Sequence, residues 1–158
     1  MVRLCRRPEL LVRYSMVAIA QRVQRASIGV VYFQPKTASV SQNNNVVASL
    51  FISSPKPVTV VEVNISYDSA KLEFVSFNSS TSAFESTIQE SADDGAIVVA
   101  RAILEPAGIA GTLRICTITF KALVASGTSP VTISSGNAAI TGMYSYPSIS
   151  GPLVITFA

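Results

Sequence analysis

The sequence contains no histidine and no tryptophan, has only two cysteines, and carries few charges. Histidine is the side chain that titrates nearest neutrality, so its absence removes the usual general base of enzymes and a common zinc ligand. Charged residues make up 13% of the chain, about half of the roughly 25% in an average soluble domain, which argues against a Lys/Glu-rich helical bundle. We therefore expect no catalytic residues, no metal site and no cofactor.

The chain of 158 residues is 49% apolar, which suffices for one domain with a substantial core. Its charge is unevenly distributed. Residues 1–25 hold six arginines and one glutamate, for a net charge of +5, whereas the remainder holds six basic and eight acidic residues, for a net charge of −2. The basic character thus belongs to the N-terminal part. The remainder is mildly acidic and lacks the excess of basic residues that is typical of a nucleic-acid-binding domain.

The composition changes near position 35, and we predict a basic leader over residues 1–34 and a folded domain over 35–158. An arginine-rich start, the apolar stretch Ala26–Phe33 and the small residues Thr37-Ala38-Ser39 resemble an export signal, although the basic part is long and the apolar part short. A membrane-surface helix and a disordered tail remain alternatives. Met16 could equally begin a shorter product.

From Val40 onward, apolar and polar residues alternate in the manner of β-strands. The clearest strand, Leu113–Leu123, predicts Cys116, Ile118, Phe120 and Ala122 inward and Ile115, Thr117, Thr119 and Lys121 outward. Turn signals such as Ala92-Asp93-Asp94-Gly95 separate the strands, and we interpret this one as a hairpin turn rather than a calcium loop. About nine strands and no convincing helix after residue 35 predict a sandwich of two sheets.

Few residues offer chemistry beyond packing. Cys116 is predicted to be a buried small hydrophobe, and Cys5 lies too far along the chain for a disulfide to be expected. The glutamates are scattered without the spacing of a paired acid and base. Tyr144 and Tyr146 share one side of a loop or edge, and they are the aromatic pair best suited to contact a glycan.

Three segments resemble those of cohesin domains, in the order of that family: Tyr67–Ser76, with its Tyr-Asp turn and Leu-Glu-Phe strand; Asp94–Ala100, with a Gly turn and an apolar strand; and Gly111–Lys121, with its Ile-Thr-Phe-Lys ending. Ser69 stands where the family usually has proline. The resemblance covers about residues 38–157.

The resemblance implies a nine-stranded jelly-roll sandwich, related in fold to carbohydrate-binding modules, in which one exposed sheet face binds a dockerin. Carried onto this sequence, that face comprises Val60, Glu62 and Asn64 of the third strand and Ile115, Thr117 and Thr119 of the eighth. These six positions could alternatively be the solvated sides of two strands.

These observations favour a non-catalytic, extracellular or cell-surface module that recognises a dockerin-type or other surface protein. A polysaccharide-binding module that uses Tyr144 and Tyr146 is the alternative, and a structural unit of a surface adhesin is a third. No nucleic-acid partner is expected. Membrane contact is expected only through the leader.

Overall fold

The computed structural model describes residues 29–140 and 143–158, and these ranges form eleven β-strands without a helix. Within them, no helix is long and apolar enough to cross a membrane. The strands are β1 (Val30–Gln34), β2 (Thr37–Val40), β3 (Asn45–Ser66), β4 (Leu72–Asn78), β5 (Ser86–Asp93), β6 (Ala96–Ala102), β7 (Ile109–Ala122), β8 (Gly127–Ile140), β9 (Met143–Ser145), β10 (Ser148–Ile149) and β11 (Leu153–Phe157).

The strands form a jelly-roll sandwich because the long strand β3 belongs to both layers. Its residues 45–54 pair with β1 and β7, and its residues 58–66 pair with β6 and β8. The transition holds Pro55 and Pro57, which cannot donate ladder hydrogen bonds and therefore suit an irregular point of a strand. We call β10, β1, the first half of β3, β7 and β4 the first layer. The second layer comprises β5, β6, the second half of β3, β8 and β9.

Side chains from both layers fill one apolar core. Ile118 and Phe120 of β7 are fully buried, as the alternation predicts. Cys116 is also buried and free, so its predicted role as a small hydrophobe is confirmed. Burial raises the pKa of the Cys116 thiol to about 12, with a further increase from the nearby Glu90 carboxylate and an opposing effect of Arg101. The thiol therefore stays protonated and unreactive near neutral pH.

The predicted hairpin turn is confirmed, since Asp93 pairs with Ala96 and the two residues between them have positive φ angles. The strand count differs from the nine predicted. Four short strands were not predicted, namely β1, β2, β9 and β10, whereas β3 and β8 are each continuous where the alternation of apolar and polar residues is interrupted, at residues 53–57 and 135–137. Their ladders tolerate the interruptions through register shifts, in which extra residues bulge from one strand without ending it.

The sandwich begins earlier than position 35. All five residues of β1, Val30–Gln34, pair with β3, and Val31 and Phe33 lie in the core. The first part of the predicted leader, residues 1–28, lies outside the described residues. A cut near Thr37 to Ser39 would remove β1 and break into β2, which pairs with β11. Removal of a leader compatible with this fold must therefore occur before Val30.

Ile115 does not point outward as predicted, because β7 contains a bulge at this position. Leu50 of β3 pairs with Cys116, but the next residue, Phe51, pairs with Arg114. Ile115 is left without a partner, and the alternation changes phase. Both Ile115 and Cys116 are consequently buried, and Ile115 cannot belong to an exposed binding face.

Candidate functional site

Val60, Glu62 and Asn64 point outward from the centre of the second layer. They alternate with the buried Val61 and Val63 on β3, between β6 on one side and β8 on the other. All three are half-buried, because neighbouring strands flank them on both sides. The alternation thus predicted their orientation correctly.

Thr117 and Thr119 also point outward, but from the first layer. Their strand, β7, pairs with residues 45–54 of β3, where Thr117 lies opposite Ser49, and not with residues 58–66. The core separates them from Glu62. The six positions assigned to one face by the resemblance are therefore divided: three lie on the second layer, two on the first, and Ile115 is inside.

A groove of about 380 Å³ lies on the outer side of the second layer. It is lined by Val60, Glu62, Ile88, Ala100, Asn137, Ala138, Ala139, Tyr144, Ser145 and Tyr146. The structure thereby brings together two groups of residues. One sequence argument assigned the first group to a protein partner, and another assigned the second group to a glycan. Ile88, Ala100, Asn137 and Ala139 were missed, because no signal in a single sequence shows which strands become neighbours.

The floor of the groove consists of short or half-buried side chains aligned across three strands. Glu62 lies opposite Ala100 of β6 and Asn137 of β8. Val60 lies opposite Ala139, which in turn lies opposite Tyr144 of β9. Since cross-strand neighbours on one face are in contact, small residues at these positions produce a depression. The floor is apolar at one end and polar at the other.

A bulge in β5 provides one rim of the groove. Thr87 pairs with Arg101 and Gln89 with Ala100, so Ile88 between them has no partner on β6. Its side chain is 58% exposed. Bulges commonly redirect a side chain in this way. The apolar side chain of Ile88 therefore lies exposed beside the floor.

Two tyrosines form the other rim. The exposed fractions of Tyr144 and Tyr146 are 87% and 80%. Within the described chain neither ring stacks on another aromatic ring, whereas on the first layer Phe51 lies between Tyr32, whose ring centroid is 5.6 Å away, and the Arg114 guanidinium at 5.2 Å. The aromatic rings of the first layer are covered by their own chain. Those at the groove remain free to anchor a ligand.

Among the residues that the structure describes, Glu62 is the only charged one that lines the groove. The amide nitrogen Nδ2 of Asn64 donates hydrogen bonds to Glu62 Oε1 at 3.4 Å and to Ser135 Oγ at 3.0 Å. The described ranges contain two ion pairs, Lys71 with Asp68 and Arg101 with Glu90, and neither includes Glu62. The carboxylate is oriented by its neighbours but has no counter-charge from them.

A buried ion pair holds the Ile88 rim in place. Arg101 points inward from β6 and is 3% exposed, with Nη1 contacting Glu90 and donating to Thr87 Oγ1 at 2.9 Å. Its Nη2 donates to the carbonyl of Phe84 at 2.8 Å. These bonds fix β5 on both sides of its bulge. In the described part of the chain, no cluster of three His, Cys, Asp or Glu residues suited to a metal ion is found.

The model of the cohesin domain family matches residues 31–143. Among solved structures, a cohesin of Acetivibrio cellulolyticus scaffoldin B in complex with a dockerin superposes with a TM-score of 0.70 at 13% identity, covering 82% of this chain and 99% of that one. The CaCohA2 module of Clostridium acetobutylicum gives 0.70 at 19% identity, covering 83% and 92%.

A non-cellulosomal cohesin of the archaeon Archaeoglobus fulgidus gives a TM-score of 0.65 at 16% identity, covering 82% of this chain and 91% of that one. Comparison with curated proteins finds no match. At these identities the structural likeness concerns the fold, and the jelly-roll prediction is confirmed.

Proposed function

The chain belongs to the cohesin domain family, and we propose that it is a binding module that recognises a dockerin-type protein through the groove of the second layer. Cohesin domains are non-catalytic binding domains. The cohesin of Acetivibrio cellulolyticus is in complex with a dockerin, so this class of partner is the first to consider. The observation that carries the proposal for this chain is the pair of uncovered tyrosines beside the groove.

The dimensions of the groove favour a helical segment of the partner. Three strands, β6, β3 and β8, lie between the rims on β5 and β9. At about 4.8 Å per strand spacing, the rims are roughly 19 Å apart. An α-helix is about 10–12 Å across with its side chains. One helix laid along the strands would therefore fit between the rims and contact the small side chains of the floor.

An extracellular or cell-surface location is part of the proposal. Support comes from the arginine-rich residues 1–25, which resemble the basic start of an export signal. The low charge and the serine- and threonine-rich outer strands are compatible with that setting.

Replacing Tyr144 and Tyr146 together by alanine is expected to weaken dockerin binding at least 30-fold. Aromatic anchors at the centre of an interface typically contribute about 2 kcal/mol or more each, and 1.4 kcal/mol corresponds to a tenfold change in affinity. The test is isothermal titration calorimetry with a dockerin selected by native-gel binding from a panel of purified dockerin modules. Since both rings are exposed, the melting temperature should hardly change.

Thr117→Arg is the matched control, because Thr117 faces outward from the first layer. It places a large charged side chain on the opposite side of the sandwich and should leave the dissociation constant unchanged. If Thr117→Arg lost binding and the tyrosine variant bound fully, the partner would bind the first layer, and the proposed groove would be wrong. Failure of the wild type to bind any dockerin would contradict the proposed class of partner.

Polysaccharide is a second candidate ligand, favoured by the proximity of Tyr144 and Tyr146 to the polar groups of Glu62 and Asn137. Aromatic rings beside a carboxylate and an amide can stack on a sugar ring and bind its hydroxyls. If this function holds, the wild type should be retained on an insoluble polysaccharide such as cellulose, xylan or chitin, and the double tyrosine variant should be released. Equal recovery of both proteins in the unbound fraction would exclude this function for the polymers tested.

A further inference from the structure

We propose that Asn78 is the acceptor of an N-linked glycan, a modification site that rests on the extracellular location included in the proposed function. The co-reactant is an oligosaccharide carried on a lipid pyrophosphate. In the transfer, the amide nitrogen Nδ2 of asparagine forms a bond to C1 of the first sugar and loses a proton to a base of the transferase. The bond between C1 and the pyrophosphate oxygen breaks, and the lipid pyrophosphate leaves with the electron pair.

The sequence contains the acceptor pattern for this modification twice. The pattern is Asn-x-Ser or Asn-x-Thr, where x is any residue except proline. It occurs as Asn64-Ile65-Ser66 and as Asn78-Ser79-Ser80. The pattern alone does not distinguish the two asparagines. Their positions in the folded domain do, because a transferase must reach the amide nitrogen and bind the residues that follow it.

Asn78 is open to such an enzyme. It is the last residue of β4, an edge strand that pairs with β7 on one side. The side chain is exposed and lies opposite the outward-facing Thr117, so it points away from the first layer. Its Oδ1 accepts a hydrogen bond from the backbone nitrogen of Ser80 at 3.0 Å, whereas no hydrogen bond of Nδ2 is present within the described residues. The reacting nitrogen is therefore accessible and unoccupied.

Asn64 is closed to the same enzyme. It lies in the second half of β3, with β6 paired on one side and β8 on the other. It is half-buried, and its Nδ2 donates hydrogen bonds to Glu62 Oε1 at 3.4 Å and to Ser135 Oγ at 3.0 Å. Modification would require both bonds to break and a central strand to leave its sheet. We therefore expect this asparagine to stay unmodified in the folded protein.

A glycan on Asn78 is compatible with dockerin binding. β4 belongs to the first layer, whereas the groove lies on the outer side of the second layer. Glycans are bulky and strongly hydrated. At this position the glycan would add a solvated surface to the layer that carries the exposed Val47 and Val75, and it would leave the groove uncovered.

The test uses the purified, folded full chain, a single-subunit oligosaccharyltransferase and its lipid-linked oligosaccharide. The enzyme is chosen because it glycosylates two synthetic peptides, residues 61–69 and 75–83, so that both patterns are competent outside the fold. With the folded chain, we expect the intact mass to increase by one glycan, and mass spectrometry of peptides should locate it on Asn78. Occupancy of Asn78 should exceed that of Asn64 by roughly tenfold or more, because a central strand opens rarely.

Asn78→Gln and Ser80→Ala should each abolish the modification. Ser66→Ala is the matched control, since it removes the other acceptor pattern and should leave the modification unchanged. An unmodified folded chain, or equal occupancy of both asparagines, would overturn this inference.

The affinity for a dockerin tests the proposed function separately. The glycosylated and unglycosylated chains should bind with equal dissociation constants, because the glycan and the groove lie on different layers. A loss of binding on glycosylation would overturn the placement of the glycan away from the partner. Absence of binding by both forms would contradict the proposed function and leave Asn78 as the glycan acceptor.

Discussion

Arg101→Ala is expected to lower the free energy of unfolding by about 3–5 kcal/mol, the usual effect of breaking one side of a buried ion pair. The truncation leaves Glu90 without its cation and the carbonyl of Phe84 without its donors. Because small domains are stable by only about 5–15 kcal/mol, a large share of the folded state's stability would be lost. Urea unfolding followed by circular dichroism measures the change.

The double variant Arg101→Met with Glu90→Leu separates the cost of leaving Glu90 unpaired from the cost of leaving the Phe84 carbonyl without donors. Apolar residues of similar volume remove both charges, so most of the lost stability should return, as is common when a whole buried pair is replaced. The Phe84 carbonyl still lacks a donor, and recovery should therefore be incomplete. If Arg101→Ala unfolds at the same urea concentration as the wild type, the proposed role of Arg101 in holding β5 against β6 is wrong.

Phe120→Ala is expected to lower the free energy of unfolding by a similar amount, about 3–5 kcal/mol, through a cavity in the core. Phe120 is fully buried, and its ring packs edge-on against Tyr67 with centroids 5.2 Å apart. It also lies in the ladder between Val46 of β3 and Phe74 of β4. The same urea experiment applies, since the slope of the transition reports whether the unfolded states remain comparable.

Thr119→Ala serves as the control for this prediction. Thr119 is the adjacent residue on β7 but points outward, so its truncation leaves no cavity and should cost less than about 1 kcal/mol. The comparison holds strand and register constant and changes only the side of the sheet. Equal destabilisation by both substitutions would mean that the orientation of this strand is not as described.

The candidate site was partly predictable from local pattern. Alternation along β3 correctly oriented Val60, Glu62 and Asn64, and the exposed character of Tyr144 and Tyr146 agrees with their selection as ligand contacts. No local pattern could show that Val60 and Glu62 line the same groove as Tyr144 and Tyr146. That arrangement depends on the pairing of β8 with both β3 and β9, which joins residues that are about 80 positions apart.

The errors have the same origin. Thr117 was oriented correctly but placed on the wrong layer, because the direction of a side chain is a property of its own strand and the layer is a property of the strand's partner. Ile115 was oriented wrongly because a bulge appears only when two strands are aligned and one has a residue too many. Ile88 was overlooked for this reason as well.

The amino-acid sequence alone determined that this chain has no histidine-based chemistry, that most of it forms strands, and which side chains of the unbulged strands are buried. These properties follow from composition and from a two-residue period that each strand carries by itself. Only the tertiary structure decided that β3 spans both layers, that Thr117 and Glu62 lie on opposite sides, and that Glu62 lines one groove with Tyr144 and Tyr146. Those features arise from contacts between distant segments, whose pairing energy depends on the alignment of both strands at once.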